Sequence, residues 1–209
     1  MKYKKKGLFI SFEGPEASGK STQIKLLSNF LKKNKIPYLI TREPGGTEIG
    51  EKLRKIILNK KDNISNTEEI LLLMSARLNH INNVIKPALK KGKIVISDRF
   101  ADYTFVYQGY VNKFSINKLK DLHKIMLSNF LPVKTFLFIL PAKEIIKRLK
   151  KRHVSNKYDK IDTSFHKNVM KGYMKLSKNE KRFILINALD SSYKINEQII
   201  KILNQILKK

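Results

Sequence analysis

The chain has 209 residues, of which 42% are hydrophobic, and this combination predicts one globular domain and excludes a disordered chain. It has no cysteine and only four widely separated histidines, which excludes disulfides, thiolate metal sites and a zinc site of ordinary spacing. No apolar run approaches the roughly 20 residues of a membrane-spanning helix, so we expect a cytoplasmic protein that does not bind membranes.

The net charge is +27, from 44 lysines and arginines against 17 acidic residues. Such a balance favours a polyanionic partner, either nucleic acid or phosphorylated small molecules. Many of the lysines, however, are scattered along predicted helix faces and do not alternate with aromatic residues as on a base-stacking surface. Lysine, isoleucine and asparagine are abundant together, and all three have A/T-rich codons. We therefore interpret the charge as compositional and expect no specific nucleic-acid partner.

Apolar runs that predict strands alternate with helical periodicity along the whole chain. This alternation predicts an α/β fold, a doubly wound parallel five-stranded sheet with helices on both faces, in one domain over residues 1–209. In such a sheet the ligand binds at the carboxyl ends of the strands. The predicted strands are 8–12, 38–41, 93–97, 133–140 and 182–187. The predicted helical stretches are 21–33, 48–58, 67–89 (one or two helices), 116–129, 142–152, 165–179 and 195–208.

The first predicted strand leads directly into a glycine-rich loop that has the pattern G-x-x-x-x-G-K-[ST]. A buried strand before this pattern and an amphipathic helix after it are the context of a phosphate loop, whose backbone N–H groups surround a nucleotide phosphate. Lys20 would reach the β- and γ-phosphate oxygens, and the Ser21 hydroxyl would bind Mg²⁺. The loop reads Gly14-Pro15-Glu16-Ala17-Ser18-Gly19-Lys20-Ser21.

Further polar groups follow the other strands. Arg42 precedes the turn 44–46, Pro-Gly-Gly, where the backbone can approach a second anion closely and the guanidinium can bind it. Asp98 and Arg99 follow the third strand, and the carboxylate there is a second candidate ligand for Mg²⁺. The basic segment at about 148–162 predicts either a solvated helix end or a lid that brings cations to a transferring phosphoryl group.

In these motifs the chain resembles the bacterial thymidylate kinases, which are P-loop kinases of nucleoside monophosphates. The order and spacing of the motifs match over nearly the whole chain. The resemblance implies Mg²⁺-dependent transfer of the γ-phosphoryl group of ATP to dTMP, giving dTDP in deoxythymidine nucleotide synthesis, by a homodimer. It rests on the phosphate loop with Glu16, the string Thr-Arg-Glu-Pro-Gly-Gly-Thr at 41–47, the pair Ala76-Arg77, and Asp98-Arg99-Phe100-x-Asp102-x-Thr104-x-x-Tyr107-Gln108-Gly109.

The resemblance also implies a role for each matching residue. Arg42 would bind the phosphate of dTMP, and Arg99 would bridge the donor and acceptor phosphates. Arg77 and Gln108 would contact the thymine edge, Glu16 the 3′-hydroxyl, and Tyr107 the 2′ position. Implied for ATP are Gly14, Pro15, Glu16, Ala17, Ser18, Gly19, Lys20, Ser21, Thr22 and Arg148; for dTMP Glu16, Arg42, Leu73, Arg77, Arg99, Tyr107 and Gln108; for catalysis Lys20, Arg99 and the lid residue Arg152; and for the metal Ser21 and Asp98.

Two departures from the family pattern keep alternatives open. Leu73 occupies the position at which the family has an aromatic ring that stacks on thymine, and the lid sequence at 159–162 is Asp-Lys-Ile-Asp in place of Asp-Arg-x-Glu. A kinase of broader or different monophosphate specificity therefore remains an alternative, as does a basic ATPase that binds nucleic acid. A GTP-dependent switch is excluded, because the N-K-x-D match at 156–159 has no accompanying D-x-x-G anywhere in the chain.

Overall fold

The structure, a computed structural model, describes residues 7–59, 63–151, 162–178 and 180–208. The strands are β1 (Leu8–Glu13), β2 (Tyr38–Arg42), β3 (Ile94–Asp98), β4 (Lys134–Ile139) and β5 (Phe183–Asn187). The helices are α1 (Lys20–Lys33), α2 (Glu48–Leu58), α3 (Asn66–His80), α4 (Lys86–Lys90), α5 (Ala101–Thr104), α6 (Ile116–Leu127), α7 (Ala142–Leu149), α8 (Thr163–Ser177) and α9 (Ser192–Leu207). Wider π-helical turns join α3 to α4 at Ile81–Ile85 and continue α5 at Phe105–Val111.

The five strands form one parallel sheet in the order β2-β3-β1-β4-β5, which confirms the predicted fold class. Phe12 of β1 is paired with Asp98 of β3, and Asp98 is in turn paired with Arg42 of β2. This register brings the carboxyl ends of three strands to the same edge of the sheet. The phosphate loop and the residues that follow β2 and β3 therefore emerge side by side.

The central strand β1 is buried on both faces, as expected for a parallel sheet covered by helices. Because side chains alternate along a strand, Phe9 packs into one hydrophobic cluster while Ile10 and Phe12 pack into the other. The first cluster includes Leu73 of α3, and the second includes Leu27 of α1. The sheet thus separates two apolar layers, one under each set of helices.

The helical segment over 101–111 was missed by the sequence prediction. Its residues from Ala101 to Gly109 are all buried, so the segment lacks the polar face that helical periodicity depends on. The predicted helix at 67–89 is one helical run in the structure, but a π-turn interrupts it just before Pro87. Proline has no N–H to donate to the regular helical ladder, which accounts for the irregularity at this point.

A buried ion pair joins the segment after β3 to the start of β5. The guanidinium of Arg182 donates from Nη1 and Nη2 to the two carboxylate oxygens of Asp102, each at 2.6 Å. Asp102 is fully buried, and the same guanidinium also donates to the Thr135 hydroxyl at 2.8 Å. Loss of one partner would leave a charge in the core without compensation, which is much costlier than loss of an exposed pair.

We expect Arg182→Met to lower the free energy of unfolding by about 3 kcal/mol, measured by urea denaturation, because Asp102 would keep its burial and lose its counter-charge. Lys194→Met is the matched control, since it breaks the exposed Lys194–Asp190 pair and should cost less than about 0.5 kcal/mol. Similar losses in the two variants would contradict a stabilising role for the buried pair.

Candidate active site

A cleft of about 600 Å³ opens at the carboxyl edge of the sheet. Its floor is the phosphate loop and the start of α1, residues 16–22. Residues from the ends of β2 and β3, from α2, from the buried segment after β3 and from α7 complete the lining, among them Arg42, Asp98, Arg99, Tyr107 and Arg148. The cleft therefore lies where the topology predicts a ligand.

The conformation of the phosphate loop depends on its first glycine. Gly14 has φ +137°, and a Cβ at this position would lie 2.6 Å from the carbonyl oxygen of Phe138. A side chain is therefore excluded both by the backbone angle and by the neighbouring strand. The absence of a side chain at Gly14 lets the loop pass close to β4. The backbone then enters α1 at Gly19, which is also in the left-handed region.

Lys20 is buried at the start of α1, and its ammonium group is held by the loop itself. Nζ donates to the carbonyl of Pro15 at 2.8 Å and to that of Gly14 at 3.2 Å. Burial, together with the nearby guanidinium of Arg99, lowers the pKa of Lys20 to about 8. The nearby carboxylates of Asp98, Glu16 and Glu13 offset this only in part, so an anion in the loop would supply further counter-charge.

Ser21 and Asp98 lie together, as predicted for a metal site. The Ser21 hydroxyl donates to Oδ2 of Asp98 at 3.0 Å across the β1–β3 junction. A hydroxyl and a carboxylate are the oxygen ligands that Mg²⁺ accepts, with phosphates and water completing its octahedron. Within the described ranges no group of three or more His, Cys, Asp or Glu side chains could hold a metal, so protein ligands alone do not form a closed site. The pair fits Mg²⁺ bound together with a nucleotide.

Arg99 is held rigidly between the phosphate loop and α8. Its backbone is left-handed, with φ +68°, and its amide donates to the carbonyl of Phe12 at 2.9 Å. The guanidinium donates from Nη2 to Glu16 at 2.7 Å and from Nη1 to the hydroxyl of Tyr173 at 3.1 Å. It lies 5.4 Å from the centre of the Tyr107 ring. Sequence-predicted residues of the loop and of the segment after β3 are thus in direct contact.

Arg42 lies on the opposite side of the cleft and is half exposed. It donates to Glu51 of α2 at 2.8 Å, and the other oxygen of that carboxylate accepts the Gly46 N–H at 3.0 Å. Partial burial by itself would raise the pKa of the Glu51 carboxyl, but the hydrogen bonds from Arg42 and Gly46 hold this pKa below its ordinary value. The turn after β2 is therefore tied to α2, which fixes the base of Arg42.

Arg54 is a second guanidinium on this side of the cleft, and sequence reasoning missed it. It lines the cleft and donates from Nη1 to the carbonyl of Pro44 at 2.8 Å. The available signal was its position one turn after Gly50 on a correctly predicted helix, because residues four apart share a helix face. Gly50 packs against the turn at Gly45, so this face of α2 points towards the cleft.

Leu73, Arg77 and Gln108, predicted to surround the thymine, are buried and do not line the cleft in this structure. Arg77 donates from Nε to Glu43 and from Nη2 to Thr104, both at 2.7 Å. Its guanidinium lies 5.5 Å from the ring centre of Tyr103, which does line the cleft. Gln108 donates to Glu69 at 3.1 Å, and Leu73 lies in the hydrophobic core. Their roles at the base remain predictions.

The lid prediction lies largely outside the described residues. Of the segment 148–162, the structure describes 148–151 and 162, so Arg152 lies outside the described residues. Arg148 lines the cleft next to the phosphate loop. It pairs with Glu144 at 3.0 Å and donates to the carbonyl of Ala188 at 3.0 Å. A cation is thus present at the start of the predicted lid.

The model of the thymidylate kinase family matches residues 12–199. The chain belongs to this family. It is 41% identical over 203 residues to the thymidylate kinase of Thermoanaerobacter sp. (strain X514), covering 97% of this chain and 100% of that protein. It is 39% identical over 214 residues to the thymidylate kinase of Mycoplasma mobile, with 97% and 100% covered. The crystal structure of thymidylate kinase from Ehrlichia chaffeensis superimposes with a TM-score of 0.76 at 29% identity, over 95% of this chain and 99% of that one.

Membership of the thymidylate kinase family confirms the predicted family, enzyme class and reaction, which is ATP-dependent phosphorylation of dTMP to dTDP. It also favours a kinase over the alternative of a nucleic-acid-binding ATPase. No helix in the described part of the chain has the length and apolar character needed to cross a membrane.

The buried ammonium of Lys20 generates a prediction about proton uptake. At pH 8 a group with a pKa of about 8 is half protonated, and phosphate anions beside it raise that pKa. We expect ATP binding at pH 8 to take up about half a proton at this lysine, measured by calorimetry in buffers of different ionisation enthalpy. Lys20→Arg, which stays charged, is the control and should take up correspondingly less. Equal uptake by the two proteins would show that Lys20 does not titrate on binding.

Proposed function

We propose that the phosphoryl transfer occurs in the cleft at the carboxyl edge of the sheet, with ATP on the phosphate loop and dTMP between Arg42 and Arg99. The observation that carries this proposal is the placement of Arg99. Its guanidinium touches Glu16 of the phosphate loop and faces the same cleft as Arg42. A cation in this position can contact the phosphates of both substrates.

On the donor side, the backbone N–H groups of residues 14–19 and the side chain of Lys20 bind the phosphates of ATP. Lys20 would leave the carbonyls of Gly14 and Pro15 for the phosphate oxygens, and the counter-charge compensates for its burial. Thr22 and Arg148 lie at the same end of the cleft and contribute to ATP binding. Ser21 and Asp98 would hold Mg²⁺, which when bound neutralises charge on the donor phosphates.

On the acceptor side, Arg42 binds the phosphate of dTMP, and Arg54 adds positive charge beside it. Glu16 lies next to Arg99 and contacts the 3′-hydroxyl, while the Tyr107 ring packs at the 2′ position. Arg77 would reach the thymine edge through Nη1, whose partner among the described residues is the sulfur of Met74 at 4.0 Å, a weak contact. Gln108 and Leu73 complete the base site.

The chemistry requires positioning and charge neutralisation more than proton transfer. The attacking oxygen of dTMP is already an anion, so the reaction needs no general base. Lys20 and Arg99 offset the charge on the transferring group, and Arg152 adds a lid cation. Fixed cations in a partly enclosed cleft stabilise this charge better than water does, because they do not have to reorient.

We also propose that the protein is a cytoplasmic homodimer. The support for the dimer is the exposure of large apolar side chains on helices, including Ile49 of α2, Leu71 of α3 and Ile125 of α6, which a second subunit could cover. Light scattering on the purified protein would distinguish the monomer mass of 24.3 kDa from twice that value.

The function is tested by measuring ADP release from ATP and Mg²⁺ with dTMP, dUMP, dGMP, CMP and AMP, each offered separately at the same concentration. We expect turnover to be strongly selective for dTMP, because Arg77, Gln108 and Tyr107 discriminate the base and sugar without an aromatic residue at position 73. Comparable rates with several monophosphates would favour the broader kinase, and no turnover would overturn the proposed reaction.

We expect Arg42→Ala to raise the KM for dTMP by on the order of tenfold or more and to lower kcat, because a charged hydrogen bond to the acceptor phosphate is lost. The affinity for ATP, measured by calorimetry, should stay nearly unchanged. Lys52→Ala removes an exposed cation on the neighbouring helix that pairs with Glu48, and it should leave all three quantities unaltered. A defect confined to ATP binding in Arg42→Ala would refute the assigned role.

A further inference from the structure

Glu13 is a buried carboxylate at the end of β1 to which the proposed mechanism assigns no role. It is fully buried, and its two oxygens hold two different segments. Oε1 accepts the backbone N–H of Phe100 at 2.7 Å, and Oε2 accepts the hydroxyl of Tyr173 at 2.9 Å. The peptide that it fixes is the one directly after Arg99.

Tyr173 lies in the middle of α8 and is fully buried. Its hydroxyl donates to Glu13, and its oxygen accepts Nη1 of Arg99 at 3.1 Å. Hydrogen bonds therefore run in one direction, from the Arg99 guanidinium to the Tyr173 hydroxyl and from there to the Glu13 carboxylate. At the Arg99 end this direction is the only one possible, because a guanidinium has hydrogen-bond donors and no acceptor.

We propose that Glu13 and Tyr173 are positioning residues that together aim the guanidinium of Arg99 into the cleft. One oxygen of Glu13 fixes the backbone beside Arg99, and the other, through Tyr173, fixes the far end of the same side chain. This inference rests on the proposed role of Arg99 at the two phosphates. Glu16 binds Nη2 of the same guanidinium and keeps it in the cleft. Glu13 and Tyr173 therefore set the orientation of the guanidinium plane.

The surroundings of Glu13 support a role other than stabilising the fold. Burial and the neighbouring Asp102 raise the pKa of Glu13 to about 8, whereas Arg99, the Phe100 N–H and the Tyr173 hydroxyl act in the opposite direction. Near neutral pH Glu13 is therefore largely protonated, and the carboxylate form, which accepts from both Phe100 and Tyr173, predominates above that pKa at a cost in stability. Its hydrogen bonds lead to Arg99 and to the peptide after it, which is the pattern of a group kept for function.

The inference is tested with Tyr173→Phe, Glu13→Gln and the double variant. Tyr173→Phe keeps the ring and removes the link. Glu13→Gln keeps the acceptor for Phe100, but its NH₂ group faces the tyrosine oxygen, so the hydroxyl proton loses its acceptor. We expect each single variant, assayed at about pH 9 where Glu13 is mostly ionised, to lower kcat by about tenfold, with both KM values within about twofold of wild type. The double variant should lose no more than either single one, because both break the same connection.

The melting temperature separates positioning from a structural role. At about pH 9 Glu13→Gln removes a charge that burial disfavours, so it should not lower the melting temperature although it lowers kcat. Tyr110→Phe is the matched control, since Tyr110 packs on Gly172 of α8, the helix that also carries Tyr173. This variant should leave kcat unchanged within about twofold. If Tyr173→Phe fails to fold, Glu13→Gln alone still tests the inference.

Three outcomes would overturn it: unchanged kcat in both single variants, losses that multiply in the double variant, or a fall in kcat that is matched by changed KM values and a lower melting temperature. Arg99→Lys distinguishes this inference from the proposed function. If Arg99→Lys keeps full activity, the role assigned to Arg99 is wrong. If it loses activity while Tyr173→Phe and Glu13→Gln keep theirs, only the positioning role is wrong.

Discussion

The parallel pairing of β1 with β3 is the constraint on which the rest of the site depends. It places Phe12 opposite Asp98, so that the phosphate loop and the Asp98-Arg99 pair leave the sheet at the same level. The Ser21–Asp98 hydrogen bond and the Arg99–Glu16 ion pair both follow from this register. A shift of one residue would turn every side chain of the strand to the other face and separate these groups.

Three of the guanidinium groups that line the cleft are paired with carboxylates. Arg99 is paired with Glu16, Arg42 with Glu51, and Arg148 with Glu144. These pairs hold long cationic side chains in place, which lowers the entropy that phosphate binding would otherwise cost. Lys20 differs, because its ammonium donates to loop carbonyls and not to a carboxylate, and burial together with Arg99 lowers its pKa.

Behind the cleft, buried ionic contacts connect the residues around it to the core. Glu43 accepts from Arg77 and lies 3.1 Å from Nδ1 of His80, while Asp102 is held by Arg182. Ionic groups are costly in a core unless each has a partner, and these are arranged around the segment that follows β3. The same segment carries Arg99 and Tyr107. The order of this segment therefore affects the positions of both residues.

The local motifs were predictable from the sequence, because each is a short contiguous string whose chemistry depends on neighbours in the chain. The phosphate loop, the turn after Arg42, the Asp98-Arg99 pair and the alternation of strands and helices belong to this group. The segment 101–111 was not predictable, since its burial on all sides removes the helical pattern. The burial of Arg77 against Glu43 joins residues 34 positions apart, and the sequence does not contain that contact.

Contacts at still greater separation were decided by tertiary packing alone. Tyr173 and Glu13 are 160 positions apart, and Tyr173 and Arg99 are 74 apart. They meet because α8 packs across the sheet onto the π-helical turn after α5, and neither partner has a local sequence signal. The sequence by itself predicted the phosphate loop, Arg42 and Arg99 as candidate phosphate-binding groups, because each belongs to a short local motif, but it did not indicate Arg54. Only the tertiary structure decided how the guanidinium of Arg99 is aimed, because side chains from distant elements can hold one group only after the layers have packed.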